Sequence, residues 1–361
     1  MGWISTEAEV SHYRETPVLS RVNMDMTILR VLWFAMGILA SINFAVGNPQ
    51  LIRPGELWPD DRGQYVQAHG GGVIKLGDTY FWFGEDRSQN NDPHFKYVAC
   101  YSSTDLAHWT FRHQVVKLAD VEHIGPKWVL ERPKVYYNAP TKKYVMYAHI
   151  DAQIDGKGGY SFARVAVFNC DTVDGDYRYL RSFRPLGCES RDIGQFIDDD
   201  GTAYLIFEDR PHGFHIAKLS DDYLDVVKDV HLFRKEDGGA LEGGAVAHVN
   251  GLYYVVGSHL TGWKPNPNLY ATAPRLDGPW TPFEKLAPGS PNTYGSQSTM
   301  LLKVTGSKTT SVIFMGDIWK PSSQWDSRYL WMPLQIESGK FFLPPPHPFS
   351  LNVATGETTF P

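Results

Sequence analysis

Five times between Gln67 and Trp319 the sequence repeats one plan: an apolar strand pattern, a polar turn, and a second strand richer in aromatic residues. The copies are His69–Ser88, turning at Gly77-Asp78; Glu131–Asp151, turning at Asn138–Thr141; and Arg191–Arg210, turning at Asp198–Gly201. The last two are Gly239–Trp263, turning at Asn250-Gly251, and Ser296–Trp319, turning near Thr305–Ser307. Asn-Gly between two apolar runs is the strongest short-range hairpin signal, because both turn residues must take positive φ. Further strand-pair patterns follow the hairpins, as in Lys96–Phe111, Phe214–Phe233 and Asn268–Leu286. The aromatic second-strand anchors Tyr80, Tyr144, Tyr204 and Tyr253 are spaced 64, 60 and 49 residues apart. Four-stranded units of that size, repeated five times, predict an all-β, five-bladed β-propeller with loops of variable length. A sandwich or barrel with coincidental hairpins is the competing architecture.

Composition supports the same class. Of 361 residues, 14% are aromatic, and 24 Pro and 33 Gly favour short strands and turns over helices. No long amphipathic helix pattern follows residue 50. A net charge of −6 without a Lys/Arg cluster argues against a nucleic-acid partner. The three cysteines, Cys100, Cys170 and Cys188, make no disulfide framework. Cys170–Cys188 pairing in an oxidising compartment and a set of free thiols both stand. No Asn-x-Ser/Thr sequon occurs.

Residues 1–50 read as a leader. A polar stretch through residue 23 precedes Arg30 and the apolar run Val31–Val46, broken by Ser41 and Asn43. Sixteen residues are short of the roughly 20 a membrane span needs. A preceding positive charge and a small-x-small end at Ala45-Val46-Gly47 fit a secretory signal. That predicts a secreted chain with no membrane contact in its mature form, working from Met24 or Met26, with an uncleaved signal anchor as the alternative. Residues 51–361 form the expected propeller, a monomer. The Pro-rich end, 335–361, is too short to fold as a separate binding module.

Aligning the five copies puts a polar residue four positions before each first strand's central apolar residue. These are His69, Glu131, Asp192, Glu242 and Gln297. First strands of propeller blades line the central channel, so five equivalent strand starts converge at one end of it. Three carboxylates, an amide and an imidazole in one pocket cost desolvation and mutual repulsion that a stability-only arrangement avoids. The same ends carry Glu85-Asp86-Arg87, His149 and Asp151, Glu208-Asp209-Arg210, Ser258–Trp263, and Asp317 with Trp319. Carboxylates interleaved with aromatics suit a sugar, whose ring faces stack and whose hydroxyls take paired hydrogen bonds. No metal-ligand spacing, nucleophile elbow or phosphate loop competes, so no metal or cofactor is expected.

On the motifs QAHGGG, GDTYFWFGED, LERPKV, SRDIGQF, DDDGTAYL, LEGGAV, GSHLTGW and GSQST, taken in order over roughly residues 60–350, the chain resembles glycoside hydrolase family 43, and within it the exo-β-1,3-galactanase subfamily. The resemblance implies a five-bladed propeller that hydrolyses glycosidic bonds with inversion. Such chemistry needs an acid on the leaving oxygen and a base for water on the opposite face, about 6.5–9.5 Å apart. It places the acid at Glu242, in LEGGAV. Most of the family carries a first-blade Asp base and a second-blade Asp; here QAHGGGV has no carboxylate and Lys134 stands before Val135. In the subfamily the residue matching Glu131 assists the acid, and that matching Gln297 holds the water, in one account as the imidic tautomer. A neutral amide is a weak proton acceptor. Two readings of water activation therefore stand: Gln297 alone, or Glu131 sharing the water.

The expected activity is release of galactose from β-1,3-galactan, the backbone of type II arabinogalactans. Asp192, Glu85, Glu208, Thr261 and Trp263 are the expected substrate contacts. An arabinofuranosidase or xylosidase of the same family, and a non-catalytic sugar-binding propeller, are the alternatives.

Overall fold

The computed structural model describes residues 50–90, 92, 97–117, 128–152 and 159–361. The leader and its apolar run lie outside the described residues, and the compact unit considered below begins at Asn48. Among the described residues no helix is long and apolar enough to cross a membrane.

Among the described residues, five antiparallel sheets of three or four strands form the blades, and two short two-stranded sheets follow them near the C-terminus. Blade one contains β1 (His69–Leu76), β2 (Thr79–Asp86), β3 (Tyr97–Ser103) and β4 (Thr110–Val116). Blade two contains β5 (Val129–Asn138), β6 (Lys143–Asp151), β7 (Arg164–Cys170) and β8 (Arg178–Phe183). Blade three contains β9 (Ile193–Ile197), β10 (Ala203–Asp209), β11 (Gly213–Leu219) and β12 (Val226–Arg234). Blade four contains β13 (Leu241–Val249), β14 (Leu252–His259), β15 (Asn268–Ala273) and a two-residue β16 (Glu284–Lys285). Blade five has three strands among the described residues, β17 (Gln297–Thr305), β18 (Thr310–Ile318) and β19 (Arg328–Pro333), where the repeat predicted four. After Pro333 the chain leaves this sheet and folds into the short hairpin Gln335–Phe342.

Within each blade the strands pair in chain order, so every connection is a hairpin. The first strands β1, β5, β9, β13 and β17 pack side by side, and β17 meets β1, which closes the ring around an axis. The Asn250-Gly251 turn has φ of 53° and 75°, the positive values that this dipeptide favours. The seam between blades five and one is aromatic. Trp82 lies 4.7 Å from both Trp331 and Tyr329, and Trp58 packs edge-on to Trp331 at 5.3 Å. Tyr329 also hydrogen-bonds across it, accepting from Ala68 N at 2.8 Å and donating to Val66 O at 2.9 Å. The bridge between Ile52 and Phe349 ties the segment before blade one to the segment after blade five.

Four of the first strands carry a bulge just after their in-register polar position: His69/Gly72, Glu131/Lys134, Glu242/Ala245 and Ser298/Met300. In three of these the next residue is left-handed: Gly70 at φ 57°, Arg132 at 51° and Gly243 at 64°. An extra residue there re-aims the strand end, which is how bulges place side chains beside a site. All three cysteines are free thiols, so the Cys170–Cys188 pairing is not formed.

Candidate active site

The in-register positions converge as the repeat predicts, with one exception. A cavity of about 200 Å³ at one end of the axis is lined by Glu131, Asp192, Glu242 and Gln297, joined by Glu85, Trp263 and others. His69 does not line it. It is fully buried in the seam, its Nδ1 3.0 Å from Asp317 Oδ1 and its ring stacked at 4.8 Å on Tyr329. Two blades are locked together by that contact, which leaves the imidazole nothing for the pocket. Thr261 is also absent from the lining. Its hydroxyl donates to Lys264 O at 2.5 Å and accepts from Asn266, shaping the loop that holds Trp263. Trp263 itself is 42% exposed at the rim, packed edge-on to Trp319 at 5.3 Å.

Arg132 fills the centre. Its Nε is 2.8 Å from Asp192 Oδ2, Nη1 donates to Ser298 O at 3.1 Å, Nη2 to Gln297 Oε1 at 2.5 Å, and its backbone N to Glu85 Oε1 at 2.8 Å. One residue, through its side chain and its backbone N–H, thus links blades one, two, three and five. Beneath it Lys134, fully buried, donates to Gly70 O at 2.5 Å, Gly71 O at 2.9 Å and Thr299 Oγ1 at 3.3 Å. Burial, with Arg132 nearby, lowers the Lys134 pKa to about 7.

Glu242, Asp192 and Glu208 have carboxylate oxygens within 4.8 Å of one another. Glu208 lies behind the cavity wall, accepting from Asp192 N at 3.3 Å and from Arg210 Nε at 2.6 Å. Such a trio can gather a cation, but Arg132 and Arg210 already supply positive charge there. The pairing also decides where a proton resides. Asp192 has Arg132 and Glu208 has Arg210, whereas Glu242 accepts from the neutral Gln297 Nε2 at 2.9 Å. Desolvation first, then the Asp192 and Glu208 charges, raise the Glu242 pKa to about 9.

Glu131 has the opposite environment. Its Oε1 accepts from Arg87 Nη2 at 3.2 Å and from the Tyr160 hydroxyl at 3.0 Å; its Oε2 is 3.4 Å from His149 Nδ1. His149 in turn meets Asp151 Oδ2 at 3.0 Å. Burial opposes charge here, but His149 and Arg87 outweigh it and lower the Glu131 pKa to about 2. The two carboxylates raise His149 to about 9 against its own desolvation. Glu85, bound by Arg87 Nε at 2.7 Å, is pushed upward by burial.

The Gln297 amide is fixed on both sides. Its Oε1 accepts from Arg132 and from Trp319 Nε1 at 3.0 Å; its Nε2 donates to Glu242 and to Ser258 Oγ at 3.2 Å. Arg and Trp side-chain nitrogens are donors only, so the carbonyl oxygen must face them. A hydroxyl at that position, as the imidic tautomer requires, would meet two donors.

One buried protonated carboxyl and one ionised carboxylate on different blades of one cavity are the pair that glycoside hydrolysis by inversion uses. The family model for glycosyl hydrolases family 43 matches residues 71–299. The chain belongs to family 43. It is therefore a glycoside hydrolase, and relatives of known structure narrow the comparison. An exo-β-1,3-galactanase from Phanerochaete chrysosporium, solved with β-1,3-galactotriose, shares 37% identity at a TM-score of 0.79, covering 86% of this chain and 71% of that one. The family 43 exo-β-1,3-galactanase from Clostridium thermocellum shares 33% at a TM-score of 0.77, covering 86% and 68%. A putative one from Bifidobacterium bifidum shares 35% at 0.73, covering 81% and 96%. No curated protein matches the chain.

Two pocket residues escaped the sequence reading. Arg132 lies within the ERPKV motif but no pattern singled it out. The signal was its offset: it occupies the left-handed position that glycine holds in blades one and four. Tyr160 comes from the loop between β6 and β7, and no repeat marks it.

Proposed function

We propose that this family 43 enzyme releases galactose from the non-reducing end of β-1,3-galactan with inversion. The observation that carries the proposal is the charge asymmetry of the cavity: Glu242 protonated to about pH 9, Glu131 ionised down to about 2. Likeness to β-1,3-galactanases over most of the chain supports the choice of substrate.

Glu242 Oε1 accepts from Gln297, which leaves Oε2 to carry the proton toward the glycosidic oxygen. As the C–O bond breaks, water adds to the anomeric carbon from the opposite face and its proton passes to Glu131. Glu131 is the acceptor because the Gln297 oxygen is already engaged by two donors. Gln297, with both amide hydrogens and its oxygen engaged by protein groups, then aligns the acid. Arg132 holds Gln297 and Asp192 in one plane of contacts, and Asp192, Glu85 and Trp263 meet the sugar. Glu208 sustains the Glu242 pKa through its charge, and Thr261 holds the Trp263 loop. The signal-like run before Gly47 supports secretion, which N-terminal sequencing of the exported protein tests.

The deciding experiment incubates the enzyme with β-1,3-galactan and follows product size and anomer by chromatography and NMR. Galactose released initially as the α-anomer is expected. Retained β-configuration, or no galactose, would remove this reading.

A further inference from the structure

A second cavity of about 600 Å³ lies beside the catalytic one, among Tyr65, Gln67, Asp86, Gln114, Trp325 and neighbouring residues. The two share a wall. Along the end of β2 and the residues after it, Glu85 and Arg87 line the catalytic cavity, while Asp86 and Ser88 line the second. Successive strand residues point to opposite faces, so this short segment serves both. The segment after β18 does the same, with Trp319 on the catalytic side and Trp325 on the other.

The lining has the character of a saccharide site. Tyr65 and Trp325 are 41% and 38% exposed and stack face to face, 6.2 Å apart with 11° between planes. Their outer faces form an apolar platform that contributes nothing to the core. Below it are two glutamine amides. Gln67, 6% exposed, donates to Trp325 O at 2.9 Å, and Gln114 donates to Asp86 Oδ2 at 2.5 Å. Each leaves a buried side-chain carbonyl oxygen with no protein donor. Such acceptors are costly unless a ligand or water supplies the donor. Among the described residues that line this cavity the guanidinium is that of Arg62, which is committed to Asp60 at 2.6 Å and lies over the Phe111 ring at 3.6 Å. With that charge paired, the described lining offers an anion no unpaired cation. Aromatic faces, amide side chains in the lining and no unpaired cation among the described lining residues together fit a neutral polyol with an apolar ring face.

We propose that the Tyr65–Trp325 groove is a second saccharide-binding site, which holds neutral sugar residues of the same polysaccharide while its chain end is in the catalytic cavity. The proposal rests on the galactan reading for the ligand's identity. The groove raises the effective concentration of chain ends at the catalytic cavity, so it acts on polymer and not on short substrates.

Native affinity electrophoresis through gels containing β-1,3-galactan tests it, with Glu242→Gln as the parent so that the gel polymer survives. Trp325→Ala and Tyr65→Ala are made on that parent; both side chains are exposed, and unchanged unfolding temperatures verify the fold. A roughly tenfold loss of apparent affinity is expected from either, as for an aromatic anchor. In the active enzyme the same substitutions are expected to lower kcat/KM on polymer about tenfold and leave β-1,3-galactobiose within twofold. Equal retardation of parent and variants, no retardation of the parent, or parallel losses on polymer and disaccharide would each overturn the proposal. If wild type releases no galactose from either substrate while the parent is still retarded and the variants are not, the galactan hydrolase reading fails and the groove stands.

Discussion

Gln297 donates its amide N–H to Glu242 at 2.9 Å, from blade five to blade four and across 55 residues of sequence. A neutral donor orients the carboxyl and favours its ionised form less than a paired arginine would.

Glu242→Gln should therefore abolish proton donation while leaving the fold intact. A fall of about 10²–10⁴-fold in kcat on β-1,3-galactan is expected, the usual value of a positioned acid. Steady-state galactose release checks it, and undiminished turnover would exclude Glu242 from the reaction.

The same substitution should stabilise the protein at alkaline pH. Glu242 binds its proton more tightly folded than unfolded, so its contribution falls as pH rises from about 4.5 to about 9. The unfolding temperature of Glu242→Gln should match wild type near pH 4 and exceed it at pH 8–9. Thermal unfolding across that range provides the comparison.

Asp192 raises the Glu242 pKa by its charge. Asp192→Asn should move the alkaline limb of the kcat profile downward by about one pH unit, whatever it does to the maximum. An alkaline limb that stays in place would assign that limb to another group.

His149 keeps Glu131 ionised, so its removal should appear on the acid side. In His149→Gln the Glu131 pKa rises from about 2, and the acid limb of kcat/KM should shift to higher pH with the alkaline limb fixed. A uniform loss at all pH values would indicate a purely structural role.

Lys134 bonds two carbonyls of blade one and a hydroxyl of blade five. Lys134→Met should cost about 2–4 kcal/mol of stability, because it leaves buried carbonyls unmet, and Thr299→Val about 1 kcal/mol. Denaturant unfolding checks both.

The hairpin plan was legible because it is local: alternation and turn residues mark each strand pair, and Asn250-Gly251 takes the backbone its residues prefer. The radial convergence of Glu131, Asp192, Glu242 and Gln297 was legible because a repeat maps equal offsets onto equal positions. His69 shared the offset and still faces the seam, since Asp317 and Tyr329, remote in sequence, capture it. The same limit hid the proton balance. Whether a carboxylate keeps its charge depends on which arginine reaches it, and Arg132 and Arg210 reach theirs from other blades or by a side-chain bend that no spacing encodes. The fifth blade's missing strand was hidden for a related reason: the Pro-rich tail leaves the sheet after Pro333.

The left-handed residues at three of the bulges, Gly70, Arg132 and Gly243, share one position relative to the axis. At Gly70 an added Cβ would lie 2.5 Å from Glu85 Oε1 and 3.2 Å from Arg132 Cγ; at Gly243 it would lie 2.8 Å from Ser298 O and 3.2 Å from Gln297 Cγ. Three blades offer the same backbone socket toward the axis, and there is room for one occupant. Arg132 takes it: Glu85 and Arg132 close off Gly70, and Ser298 and Gln297 close off Gly243. A ring of near-equivalent blades thereby acquires a single hub, with Glu242 and Glu131 on different blades around it.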